Sequence, residues 1–330
     1  MKLLVTGASG FLGSHLCERA LAEGHEVWAA VRASSPRGWL TDSRLHFITL
    51  DLARPERLEE QLAGHKWDAA VHAAGLTKAR RRADFARVNT AGTLALAEAL
   101  RRTGALGGRF VFVSSLSAAG AVRETMPHTD ICESDRPAPQ TAYGRSKLEA
   151  ERGLARIDGL DYVVLRPTGV YGPRDRDYFL MAQSVARGVD FAAGRRPQDI
   201  TFVYVKDLAA ACLLAATQGK CGATYNLSDG ATYSSRDYAD LLQQALGKRR
   251  VLHIKAPLWL LRAVCTAGEA WAALSGRAVT LNMDKFHILA QRNWRCDISA
   301  ARRELGYAPA YDLERGVRET VEWYKKEKWI

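Results

Sequence analysis

Thr6-Gly7-Ala8-Ser9-Gly10-Phe11-Leu12-Gly13 follows a short apolar run, Lys2–Thr6, and opens an apolar helical stretch. Three glycines at this spacing, between strand and helix, constrain the chain more than any other feature. Gly7 permits a tight turn out of the strand. Gly10 lets backbone approach a pyrophosphate, and Gly13 lets the helix pack closely on a sheet. The helix start adds free N–H groups and the positive end of a dipole.

The rest of the first half repeats this strand–helix unit. Strand-like runs are Lys2–Thr6, Glu26–Val31, Leu45–Leu50, Ala69–His72, Arg109–Val113 and Tyr162–Leu165, with helical patterns at about 11–23, 55–63, 83–103 and 141–156. Such alternation predicts an α/β fold, a doubly wound parallel sheet of Rossmann type covered by helices on both faces. Beyond about residue 173 helical patterns dominate, at roughly 178–187, 206–217, 235–246, 257–274, 299–305 and 313–327. Short strands are expected at Thr201–Val205 and Thr224–Leu227. The expected division is therefore interleaved. Residues 1–172 and about 200–228 form a dinucleotide-binding domain, and about 173–199 and 229–330 form a smaller, mainly helical substrate lobe.

With 330 residues, 47% apolar and 25% charged, the chain is neither collagen-like nor disordered nor a disulfide miniprotein. Its net charge of +11 suits anionic ligands, and a phosphate-bearing cofactor meets that need without nucleic acid. The six cysteines form no C-x-x-C pair and no zinc-like spacing, so no metal is expected, and a reducing compartment is. The opening apolar run is too short for a signal peptide. Ala256–Leu274 is interrupted by Arg262 and Glu269, so no stable membrane insertion is expected, although a peripheral contact by this helix is one option. A cytoplasmic protein is expected. The basic run Lys78–Arg82 reads as a solvated face, or as a contact for a carboxylate or phosphate.

The end of the second strand distinguishes dinucleotides. An acid there accepts from the ribose 2′-OH, whereas a base welcomes a 2′-phosphate. The chain reads Ala30-Val31-Arg32-Ala33-Ser34-Ser35, without an acid. Arg32, assisted by Ser34 or Ser35, favours NADP, with NAD the other possibility.

These residues resemble the extended short-chain dehydrogenase/reductase family, also described as NAD-dependent epimerase/dehydratase-like, nearly end to end. Its T-G-x-x-G-x-x-G form is Thr6 to Gly13, which implies a cofactor cradle of Gly7, Ser9, Gly10, Phe11, Leu12 and Gly13. The resemblance also implies Asp51 and Leu52 near the adenine and Ala73, Ala74 and Gly75 along the cofactor. Asn89, in Val88-Asn89-Thr90-Ala91-Gly92-Thr93, becomes a structural or cofactor-loop residue rather than a proton carrier. Pro167, Thr168, Gly169 and Val170, within Leu165-Arg166-Pro167-Thr168-Gly169-Val170-Tyr171-Gly172-Pro173, are expected to pass the nicotinamide. Phe202-Val203-Tyr204-Val205-Lys206-Asp207, Tyr225-Asn226-Leu227 and Leu305-Gly306-Tyr307-Ala308-Pro309 complete the match. The family also implies a homodimer through the helices near 83–103 and 141–156.

Tyr143 and Lys147 are four apart on an expected helix and share one face. A lysine cation there favours the phenolate and is expected to lower the tyrosine pKa towards neutrality, suiting it to give or take a proton. The resemblance places Lys147 at the nicotinamide ribose as well. Ser115, at the end of the fifth strand, can hydrogen-bond the reacting oxygen. Ser114 and Ser117 are its neighbours. Ser115 is preferred because it lies five residues before Gly120, as in the family.

Two substrate readings follow. Nucleotide-sugar epimerases and dehydratases typically carry an asparagine after the sixth strand and an arginine before the F-V-Y-V strand. Here Thr168-Gly169 and Ile200-Thr201 stand instead, although Arg195 and Arg196 are near. A dehydratase's acid pair is replaced by Leu116-Ser117. The other reading is a net ketone or aldehyde reductase or alcohol dehydrogenase, like dihydroflavonol reductases and 3β-hydroxysteroid dehydrogenases, with Trp259, Leu260, Trp271 and Leu274 as pocket wall or lobe core. A catalytically silent dinucleotide-binding protein is disfavoured by the intact Ser115, Tyr143 and Lys147.

Overall fold

The alternating runs assemble into the doubly wound parallel sheet that their pattern predicts. The structure is a computed structural model. It describes the chain apart from residues 80, 121, 276–278, 280 and 281 and the side chains of Ala273 and Leu274. Arg80 of the basic run and the Leu274 side chain thus lie outside the described residues.

Strands β1 (Lys2–Thr6), β2 (Glu26–Val31), β3 (His46–Thr49), β4 (Trp67–His72), β5 (Leu106–Val113) and β6 (Tyr162–Pro167) join strand Thr224–Leu227. Their order across the sheet is Thr224–Leu227, β6, β5, β4, β1, β2, β3, every neighbouring pair parallel. Successive side chains face opposite sides of a strand, and here both sides are buried. Leu3 and Val5 join a core with Leu16, Ala20, Leu208 and Cys212. Leu4 joins another with Leu58, Leu96, Leu100, Phe110 and Leu154. This double burial is why the strands read as continuous apolar runs.

The helices are α1 (Phe11–Ala22), α2 (Leu58–Leu62), α3 (Arg82–Phe85), α4 (Gly92–Arg102), α5 (Ala142–Leu154), α6 (Asp177–Ala186), α7 (Val205–Thr217), α8 (Asp237–Leu246), α9 (Leu258–Ser275), α10 (Met283–Ala290), α11 (Ser299–Leu305) and α12 (Leu313–Lys326). The single helix expected over 83–103 is interrupted. A π-helical turn, Ala86–Ala91, separates α3 from α4 and buries Asn89 completely. The strand expected at Thr201–Val205 is present as Phe202–Tyr204, preceded by a separate short strand, Asp199–Ile200. Asp199–Ile200 pairs with Tyr233–Ser234 and Asn293–Trp294, whereas Phe202–Tyr204 pairs with Gly169–Tyr171, and Val205 already begins α7. An aromatic core of Tyr171, Phe202, Tyr204 and Tyr238 forms behind that second pair, with Phe202 and Tyr238 stacked 5.3 Å apart.

The chain proceeds outward from β1 in both directions, so the loops after β1 and β4 diverge and leave a crevice at the sheet's carboxyl edge. Gly7 lies there with φ of +68°, and a Cβ on it would sit 2.7 Å from the backbone nitrogen of Ala74. Below it, the Thr6 hydroxyl accepts from Ala74 N at 3.3 Å and donates to His72 Nδ1 at 2.7 Å. His72 Nε2 then donates to Thr93 Oγ1 at 2.9 Å, and Thr93 donates to Asn89 O at 2.7 Å. Burial pushes the His72 pKa down to about 3, so this relay is held neutral.

Candidate active site

The glycine turn meets the requirements of a dinucleotide diphosphate. A Cβ on Gly13 would fall 2.1 Å from Gly7 O, and one on Gly10 3.1 Å from it. The turn therefore closes only because the start of α1 touches the backbone of Gly7 and Ala8 directly. Gly10 caps α1 without a side-chain hydrogen bond, and the first turn holds no acid. Its N–H groups, with the half-buried Ser9, Phe11 and Leu12 around them, face the crevice as a ready anion site. The residues present fit the group.

Other expected cofactor residues border the same edge. Arg32 is exposed at the end of β2, where its N–H donates to Ser35 Oγ at 3.1 Å. Asp51 accepts from Ala53 N at 3.1 Å, and Leu52 packs against Gly92. Ala73, Ala74 and Gly75 run over the crevice. Asn89 pins that loop, accepting from Leu76 N at 2.7 Å and donating to Leu76 O at 3.0 Å and Ser146 Oγ at 3.1 Å. Pro167 is buried at the end of β6. Thr168 donates to Thr201 O at 2.9 Å, and Gly169 and Val170 pair with Phe202 and Val203.

Ser115, Tyr143 and Lys147 converge where β5 ends. Gly144 lies so near the turn after β5 that a Cβ would meet Ser117 O at 2.2 Å. This contact brings the first turn of α5 onto Ser115. The Thr141 hydroxyl caps α5 by accepting from Gly144 N at 2.9 Å, and Asp284 of α10 adds a carboxylate accepting from Ala142 N at 2.9 Å. Ser115 is the hydrogen-bond partner of the Tyr143 phenol, and Phe85 packs edge-on against its ring at 6.0 Å. Ser114 points away and donates to Glu151. Of the neighbouring serines, Ser115 is the one brought to the tyrosine.

The tyrosine's electrostatics differ from the spacing argument. Burial raises the Tyr143 pKa above its ordinary value, and the Ser115 hydrogen bond only partly opposes this. The Lys147 Nζ donates to Val113 O at 2.9 Å and sits 4.8 Å over the Phe112 ring. Burial pushes the lysine down to about 8, while Glu151, one turn further along α5, pulls it upward. Glu151 is itself gripped by Arg166 of β6, with Nε to Oε1 at 3.0 Å, and both side chains are buried. This pair was missed in the sequence, although four-residue spacing from Lys147 signalled Glu151. Asp284, 141 residues from Tyr143, gave no such signal. The basic run is tied across the cleft, Lys78 to Asp177 of α6 and Arg82 to Glu269 of α9 at 3.7 Å.

A glycine-turned parallel sheet bearing serine, tyrosine and lysine at its carboxyl edge defines the extended short-chain dehydrogenase/reductase class. Within that class the chain belongs to the NAD dependent epimerase/dehydratase family, whose model matches residues 3–228. It is an NAD(P)-dependent oxidoreductase of this type. It is 28% identical to a ceramide reductase of Caulobacter vibrioides, covering 99% of this chain and 95% of that one. It is 30% identical to the 4-hydroxy-2-methyl-3-oxo-4-farnesyl-3,4-dihydroquinoline-1-oxide ketoreductase of Stigmatella aurantiaca, covering 96% and 95%. Among solved structures, the UDP-glucose 4-epimerase of Thermotoga maritima with UDP-glucose matches at a TM-score of 0.78 and 26% identity, covering 99% of this chain and all of that one.

Proposed function

We propose that the protein is a net NADP(H)-dependent reductase of an apolar ketone or aldehyde, or a dehydrogenase of the matching secondary alcohol. The observation that carries this reading is the entrance to the Phe202–Tyr204 strand. Ile200 stands where a nucleotide-diphosphate arginine is expected, and the Thr201 hydroxyl is engaged with Trp294 O at 2.6 Å. The two full-length relatives named above, a ceramide reductase and a farnesyl-bearing ketoreductase, support a lipophilic carbonyl. Arg32, exposed with no acid beside it, supports NADP.

A bound nicotinamide dinucleotide supplies or accepts the hydride. The glycine turn would hold its phosphates and Arg32 its 2′-phosphate, with the Ala73–Gly75 and Pro167–Val170 loops to either side. Ser115 orients the substrate oxygen, and Tyr143, still protonated because burial raises its pKa, donates the proton to it. Lys147 places a cation beside the ribose. Residues 173–199 and 229–330 form the substrate lobe, and α4 and α5 supply a dimer face in a cytoplasmic enzyme.

The test is NADPH or NADH absorbance with a panel of apolar ketones, aldehydes and nucleotide sugars. Stoichiometric NADPH loss with an apolar carbonyl is expected. Tyr143→Phe should slow it about a hundred- to ten-thousandfold, and Arg32→Asp should move the preference towards NADH roughly tenfold or more. An isomerised nucleotide sugar without net NADPH loss would overturn the reading.

A further inference from the structure

Among the described residues, twelve large hydrophobic side chains are exposed, and eight of them crowd one region: Phe191, Leu252, Ile254, Leu258, Trp259, Leu260, Val264 and Trp271. None lies on α4 or α5. The region is built by two elements. Strand Leu252–Ala256 pairs in parallel with Val189–Ala193, Leu252 opposite Val189 and Ile254 opposite Phe191. Paired residues of a ladder share a face. Of the alternate residues, His253 turns inward, where its Nδ1 meets the buried Asp190 carboxylate at 3.0 Å, while Lys255 stays exposed. The ribbon therefore shows its apolar face outward. The chain runs from it directly into α9, along which Cys265 is the one fully buried side chain among those described. Trp259 is 72% exposed and Trp271 64%. Burying such groups is favourable, and an apolar patch of this kind on a water-exposed lobe marks a contact surface.

The surrounding charge selects the partner. Residues 191–198 and 241–268 contain Arg195, Arg196, Lys248, Arg249, Arg250, Lys255 and Arg262 and no aspartate or glutamate. All seven are exposed, and none makes an ion pair among the described residues. The one carboxylate of α9, Glu269, lies within 3.7 Å of Arg82 and accepts from Met283 N at 3.3 Å. Tryptophans and leucines framed by unpaired lysines and arginines are the composition of a helix that lies in the headgroup region of a bilayer. Cations at such a surface are drawn by anionic lipid. No described helix is long and apolar enough to cross a membrane, so the contact is a surface one.

We propose that the outward face of α9 and the Leu252–Ala256/Val189–Ala193 ribbon docks the protein on an anionic lipid surface. The apolar side chains enter the acyl boundary, and the cations framing them meet the lipid phosphates. Helix α9 packs against α10, whose Asp284 accepts from Ala142 N at the start of α5, so one helix links the docked face to the helix that carries Tyr143. The proposal stands whether or not the substrate is a carbonyl.

Vesicle co-sedimentation tests it with the whole protein and two probes, phosphatidylcholine alone and phosphatidylcholine mixed with phosphatidylglycerol. Binding to the mixed vesicles and release by added salt are expected. Brominated acyl chains should quench tryptophan fluorescence in the wild-type protein. Trp259→Ser with Trp271→Ser should abolish that quenching, with the thermal midpoint and NADPH binding unchanged. Arg195→Gln with Arg196→Gln should weaken vesicle affinity roughly 25-fold at low salt. No sedimentation with the anionic vesicles would overturn the proposal, as would sedimentation that ignores both double variants. A wild-type dimer that the tryptophan variants convert to monomer would also overturn it, by giving this face to a second copy of the chain.

Discussion

At the residue scale the reaction centre depends on a column of groups below the tyrosine. Tyr143, Lys147 and Glu151 succeed one another every fourth residue along α5, and Arg166 closes the column from β6. Burial favours neutral lysine, and Glu151 favours the cation. The lysine therefore titrates at about 8, which sets a pH limit. In the proposed reading the lysine acts as a cation, so kcat/KM should fall as pH rises through about 8. Glu151→Gln withdraws the upward pull, and the alkaline limb should then move to lower pH in the pH–rate profile. The same change leaves Arg166 buried without its partner, a loss of about 3–5 kcal/mol measurable as a lower urea midpoint. A variant with the stability loss but an unmoved limb would show that Glu151 does not act on Lys147.

At the scale of elements, close backbone contacts place the functional groups. Gly13 holds α1 against the turn after β1, and Gly144 holds α5 against the turn after β5. Gly13→Ala forces a Cβ to within 2.1 Å of Gly7 O, which rigid backbone cannot relieve. It should cost about 1–3 kcal/mol or more and abolish dinucleotide binding, seen together in a chemical denaturation curve and a fluorescence titration with NADPH. Strand and helix assignments in the first half were legible because the central strands are buried on both faces and the helices show an apolar side. The π-helical turn at Ala86–Ala91 was not legible. It is favoured by what Asn89 bonds, Leu76 and Ser146, rather than by its own residues. Helix α10 escaped notice for a related reason. Its side chains are all half-buried, so they show no sharp division into apolar and polar faces.

At the scale of the whole molecule, the dinucleotide should act as a linking ligand. It contacts loops after β1, β2, β4 and β6 in the proposed reading, so binding stabilises the fold by mass action. NADPH at about a hundred times its dissociation constant should add about 2.7 kcal/mol and raise the thermal midpoint by roughly 5 °C. NADH at the same concentration should raise it less, and equal shifts would remove Arg32 as the selector. The sequence alone determined the glycine turn, the parallel sheet, the Tyr143–Lys147 spacing and Arg32 at the end of β2. Each is a local pattern, written in residues a few positions apart and dictated by strand pleat, helix pitch or backbone sterics. Only the tertiary structure decided which way the phenol's pKa moves and what stands behind Lys147. It also decided that the apolar side chains of α9 face outward rather than line a core. These depend on groups brought together from distant parts of the chain, where burial and hydrogen-bond partners outweigh anything that neighbouring residues can encode.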